Sequence, residues 1–225
     1  MTIHMLVEGT SERVLFERWS RRLLQGWEVK LHPHQGKGRL PRDLDARPDL
    51  KRRGLLDQLP AKLRGFANSM DVKTDQVVIL VDADGDDPTT LLGAITDAVV
   101  QVAPDLPVTV RLAVEETEAF YLGDLGALRK AFPGADLRRA RSYEPDAVCG
   151  TWELFAQIVG DPGANKVGWA EAMGPFLTTK VGVTRSPSFK ALIKGLVALK
   201  PRAAKKRRGT YRHPVRPRRD SGRRR

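Results

Sequence analysis

The sequence predicts an α/β fold: a mostly parallel four-stranded sheet with helices on both faces, a C-terminal helical cap and a basic, disordered tail. Three observations predict it. Short aliphatic and β-branched runs alternate with segments of helical periodicity, the order of a parallel sheet. The run at 77–81 (VVILV) is apolar at every position, as a strand buried on both faces requires. Three of the runs end in acidic residues, and parallel strands bring their C-terminal ends to one edge.

Residues 3–7 form the first strand, with Glu8 and Gly9 at its end. Thr10 or Ser11 caps the helix 12–24, where Val14, Leu15, Trp19 and Leu23 fall at helical spacing, and Gln25-Gly26 ends it. WEVKL at 27–31 alternates polar and apolar residues and reads as a second strand near an edge. Residues 32–50 are loop-like, with Gly36, Gly38, Pro41 and Pro48. A helix at 53–70 places Leu55, Leu56, Leu59, Leu63 and Phe66 on one side, with Pro60 as a kink point. The third strand, 77–81, is followed by Pro88 at a helix first turn and by the helix 89–103. PVTVRLAV at 107–114 is the fourth strand, and a helix covers 117–132. Beyond Pro133, residues 151–159, 169–179 and 188–199 read as helices, the last capped by Ser186 or Ser188. The expected organisation is an α/β domain over 1–132, a helical extension packed on it over 133–199, and a tail over 200–225. Trp19, Trp27, Trp152 and Trp169 are scattered and read as core.

No apolar stretch approaches the roughly 20 residues that span a bilayer, and MTIHMLVEGTSE lacks the pattern of a secretory signal. The lone Cys149 has no partner for an internal disulfide, which fits core packing and a cytoplasmic location. The net charge of +12 is localised. Thirteen basic residues and one acid, Asp220, lie in 200–225, so the tail carries the whole surplus and residues 1–199 balance. Such a polycation, including Lys205, Lys206, Arg207 and Arg208, either binds nucleic acid through phosphates or serves as a solubilising segment.

The acids at the strand ends carry the chemistry. VVILVDADGDD runs from strand into Asp82, Asp84, Asp86 and Asp87. Like charges this close raise one another's pKa unless cations neutralise them, and hard divalent ions prefer carboxylate oxygen. Glu8 ends the first strand, and Glu115, Glu116 and Glu118 follow the fourth. Asp82 and Asp84, two apart, point the same way and leave Ala83 inward; Gly85 permits the turn. Asp86 is open between ligand and turn residue, and Asp87 caps the next helix. Alternation turns Glu115 away from Glu116. His32 and His34 are open between ligands and ordinary loop histidines. Lys37 and Arg39, in GKGR, either touch a nucleic-acid backbone or belong to a flexible loop. The expected site is a metal site used for phosphate chemistry.

VEGTSE, DADGDD and EETEAFYL, each after a strand, resemble the three signatures of a Toprim domain. Within that class the chain resembles the OLD (overcoming lysogenization defect) family and especially its small stand-alone relatives. HQGKGRL, RGLLDQLPAKLR, NKVGWAEAM and RSPSFKALIKGL extend the likeness over residues 3–199. The resemblance implies a metal-dependent nuclease using Mg2+ or Mn2+, as two ions. It makes Glu8 a general acid/base and metal ligand, and Glu12, Asp82, Asp84 and Glu116 further ligands. Asp86 and Glu118 are additional candidates, and Lys166 neutralises charge near the scissile phosphate. The chain has no GxxxxGK[ST], so the ATPase that accompanies such nucleases would be a separate AAA-type protein, in a defence or DNA-processing system. DNA is the expected partner, with RNA and a homo-oligomer left open. Two alternatives stand beside this: a magnesium-dependent phosphatase on a small substrate, and a non-catalytic DNA-tethering or regulatory subunit.

Overall fold

Four strands, β1 (Thr2–Val7), β2 (Glu28–Pro33), β3 (Gln76–Asp82) and β4 (Val108–Ala113), pair in parallel in the order β2-β1-β3-β4. This computed structural model describes residues 1–147 and 150–199. Cys149 and the tail, with Lys205, Lys206, Arg207 and Arg208, lie outside the described residues. The helices are α1 (Thr10–Leu23), α2 (Leu55–Ser69), α3 (Pro88–Val102), α4 (Glu118–Gly123), α5 (Leu125–Ala131), α6 (Leu137–Ser142), α7 (Thr151–Val159), α8 (Lys166–Met173) and α9 (Pro187–Val197).

Alternation along the strands divides the core in two. Ile3, Met5, Val7, Val78 and Leu80 face α1 and the C-terminal helices, while Leu6, Val77, Ile79 and Val81 face α2 and α3. Both faces of β3 are buried, which explains its uniform apolarity. The segment after Pro133 shares the first of these cores: Phe155, Trp169, Met173 and Phe189 pack with Phe16, Trp19 and Phe120. The Trp19 indole N–H donates to the Thr178 carbonyl at 2.9 Å, tying α1 to the turn after α8. Among the described residues no helix is long and apolar enough to cross a membrane.

Several local expectations are corrected. The first helix begins at Thr10 with Gly9 in the capping position and no side-chain cap; the Ser11 hydroxyl turns to Glu12 instead, at 3.1 Å. The second strand runs on to Pro33, so His32 lies in β2 and not in the loop. The helix expected over 117–132 is two helices, broken at Asp124. Its carboxylate accepts from Ala127 N at 2.9 Å, starting α5, and from Thr178 N at 2.8 Å. Capping a new helix with this buried acid outweighs continuing the old one. The helix expected over 169–179 starts earlier, where Asn165 accepts from Gly168 N, and stops at Met173 before Gly174-Pro175. The unforeseen α6 starts where Asp136 accepts from Arg138 N and Arg139 N.

Asp124→Ala is expected to cost about 2–4 kcal/mol, because two N–H groups lose their acceptor in a dry interior. Urea unfolding checks it; a change below about 0.5 kcal/mol would remove Asp124 from the fold's main supports.

Candidate metal centre

The chain reverses its direction of sheet growth between β1 and β3, because β2 lies on one side of β1 and β3 on the other. Ligands in open parallel sheets bind at such a switch point, beyond the strand C-termini. Glu8 leaves β1 there and Asp82 ends β3. The two are joined directly: Asp82 N donates to Glu8 Oε1 at 2.7 Å. The Asp82 carboxylate accepts from the Thr117 hydroxyl at 3.0 Å and lies over the turn into α4. Glu118, in the first turn of α4, is buried at 4 % exposure. Glu12 comes from the first turn of α1 and is partly buried.

These carboxylates act on one another. Burial, then the neighbouring charges of Glu8, Glu12 and Glu118, drive the Asp82 pKa well above the carboxylate range. Burial, opposed by the Asp82 N–H and aided by Asp84 and Glu12, pushes Glu8 up to about 7. Burial, only partly offset by Lys166, pushes Glu118 up to about 7. Glu116 is also raised by burial, against the pull of Lys166 and of the Trp152 N–H, which donates to Glu116 Oε2 at 2.9 Å.

Two lysines answer this charge. Lys166, at the start of α8, stands 3.6 Å from Glu116 and 3.9 Å from Glu118, with its ammonium 5.3 Å from the Trp152 ring centre. Partial burial works against its charge, but Glu118, Glu116 and Asp82 hold its pKa above the usual value. Lys37 pairs with Asp84 at 2.7 Å and Asp86 at 2.8 Å and donates to the Ala83 carbonyl at 3.0 Å. Its loop is fixed from both sides. Gly36 N donates to the Glu8 carbonyl at 2.9 Å, and Leu56 N to the Lys37 carbonyl at 2.8 Å. Gly38 (φ +68°) passes so close to Gly54 that a Cβ on Gly54 would sit 2.5 Å from its Cα.

Lys37 is therefore the counter-ion of the Asp84–Asp86 loop in this structure, while Arg39 is exposed, its backbone N–H donating to Asp57. The left-handed residue of that loop is Asp84 (φ 48°), not Gly85. Asp82 and Asp84 do not point alike: Asp82 turns inward to Thr117, and Asp84 turns outward to Lys37. Ala83 between them is fully buried. Asp87 accepts from Thr90 N at 2.8 Å and caps α3, which lowers its pKa. Glu115 faces away into a closed group, accepting from the Tyr143 and Thr151 hydroxyls. His32 stacks on His4, with Nδ1 of His4 3.0 Å from Nε2 of His32, beside Phe66. His34 Nδ1 donates to the Val7 carbonyl at 2.9 Å. Burial lowers the pKa of both, that of His32 to about 4. Trp152 is partly buried against the core, as expected, and also presents its backbone N–H to Glu116 and its ring to Lys166.

The donor set suits a hard cation. Seven carboxylates, from the ends of β1, β3 and β4 and the first turns of α1 and α4, lie toward one edge, with an excess of negative charge over Lys37 and Lys166 and with oxygen as the ligand atom they offer. Among the described residues no three His, Cys, Asp or Glu side chains stand close enough around one point to hold an ion as placed. Compared with protein-family models, curated proteins and solved structures, the chain matches none.

Proposed function

We propose that this protein is a Toprim-type nuclease that hydrolyses phosphodiester bonds of DNA with divalent metal ions and works with a separate AAA-type ATPase. One observation carries the reading: buried, mutually repelling carboxylates from β1, β3 and the β4–α4 turn meet at the switch point of a parallel sheet. Their pKa values are raised first by burial and then by neighbouring carboxylates, a setting in which a cation would be favoured. Magnesium or manganese ions, held by Glu8, Glu12, Asp82, Asp84 and Glu116 with Glu118 and Asp86 alongside, would activate water and neutralise the phosphate.

The protein's own groups do the rest. Glu8 is anchored through Oε1 by the Asp82 N–H, which leaves Oε2 to take or give a proton as general acid/base. Lys166, positioned by Trp152, Glu116 and Glu118, places a cation where negative charge develops on the phosphate oxygens. Thr117 fixes the Asp82 carboxylate, and Lys37 holds the Asp84–Asp86 loop over the same edge. The ATPase and the defence setting follow from the likeness to the OLD family.

The test is a cleavage assay on plasmid, linear and single-stranded DNA with Mg2+ or Mn2+. Metal-dependent cutting that stops on addition of EDTA is expected. Turnover of small phosphomonoesters with DNA left intact would favour a phosphatase instead.

A further inference from the structure

Beside the carboxylates lies a cleft of about 600 Å³, between the 37–40 loop, the start of α2 and the first turns of α3. Its size is that of small-ligand sites, roughly 300–1,000 Å³. Leu40, Leu56, Leu91 and Ala94 line it with apolar surface. Its rim carries Lys37, Arg39, Asp84 and Asp86, so it opens directly onto the proposed reaction centre. A metal site for phosphate alone needs no apolar chamber. A phosphate whose neighbouring residue has a flat apolar face and polar edges does.

The geometry points to this cleft as the seat of one unpaired nucleobase next to the scissile phosphate, which makes single-stranded or frayed DNA the substrate class. The inference rests on the nuclease reading above. The aliphatic walls of Leu40, Leu56 and Leu91 cover the faces of the base and remove them from water. Thr90 and the Asp87 carboxylate at the rim offer polar contacts to its edge. Arg39, exposed and reaching from the loop, supplies a cation for the adjoining backbone. A base within a closed duplex enters such a chamber only by leaving its stack, at a cost of a few kcal/mol. An end, flap or single strand has already met that cost.

The test uses the full chain with Mn2+ and a labelled single strand of about 20 nucleotides. It is compared with the same strand annealed to its complement and with a series carrying one abasic residue at each position in turn. The single strand is expected to be cut at least about tenfold faster than the duplex. An abasic residue beside the cut linkage is expected to slow cutting there by about tenfold or more, and abasic residues elsewhere to have little effect. Ala94→Leu, at an exposed position on α3, narrows the chamber and is expected to bring the intact-to-abasic ratio toward one. Equal cutting of duplex and single strand, or of intact and abasic strands, would overturn the cleft's role while leaving the nuclease reading standing. Turnover of free nucleoside monophosphates with no cutting of strands would place a small nucleotide in the cleft and overturn the strand assignment. Hydrolysis of neither oligonucleotides nor bis(p-nitrophenyl) phosphate would overturn both readings together.

Discussion

Asp82→Asn is expected to abolish metal-dependent DNA cleavage while making the metal-free protein more stable. The two effects have one cause. Asp82 accepts from Thr117 and donates its own N–H to Glu8, within the field of Glu8, Glu12 and Glu118. Asparagine keeps the shape and an acceptor for Thr117 but removes a charge that burial and three acids oppose. Without metal, that removal relieves repulsion, and a gain of about 1–3 kcal/mol at pH 8 is the scale for deleting an uncompensated buried charge. On the metal-site proposal, the same substitution deletes a ligand of the bound ion. The expected loss of cleavage is at least about 100-fold, the equivalent of a few kcal/mol of transition-state stabilisation. Melting curves in EDTA and cleavage rates in Mg2+, measured on one preparation, check both. A variant that melts lower than wild type in EDTA would show that Asp82 supports the fold and not a cation.

The second large effect is on pH dependence. Glu8 and Glu118 are each raised by burial from an ordinary 4.5 to about 7. Between these values the folded protein binds protons that the unfolded chain has released. Stability from this pair is therefore fully present below about pH 4.5 and is lost as pH rises through 7. At about 1.4 kcal/mol per pKa unit, each group accounts for up to roughly 3 kcal/mol, and the two are not additive because they share one cluster. On the metal-site proposal, magnesium replaces those protons, so its stabilisation should be larger at pH 8 than at pH 6. Glu118→Gln is expected to flatten the metal-free profile. Thermal melts of wild type and variant from pH 5 to 8.5, with EDTA or Mg2+, check this. Magnesium shifts of equal size at pH 6 and pH 8 would count against a site whose protons and cations compete.

Much of the frame is legible in the sequence, because strands and caps are local. The uniform apolarity of β3 reports two buried faces, and Asp87 before Pro88 reports a helix start. Parallel pairing then brings Glu8, Asp82 and the Glu116–Glu118 pair to one edge. Less local features are not legible. Asp124 looks like a surface residue within a helical pattern, and its role depends on Thr178, far along the chain. Glu118 looks like a surface acid of a first helical turn, yet it is buried, since α7 and α8 pack against α4. The pairing of Lys37 with Asp84 and Asp86 needs the Gly38–Gly54 contact, which joins segments separated by a loop. The separation of Asp82 from Asp84 follows from a left-handed backbone at Asp84 that strand alternation does not anticipate. Residues 1–199 carry no net surplus of charge, yet Lys37 and Lys166 place cations against the carboxylate edge.

The most direct test is calorimetric titration of Mn2+ into the wild type and Asp82→Asn at pH 8. Saturable binding of two ions per chain to the wild type, with proton release and with binding lost or reduced to one ion in the variant, is the expected result. No binding to the wild type, or identical binding to both proteins, would contradict the assignment of this sheet edge as a metal centre.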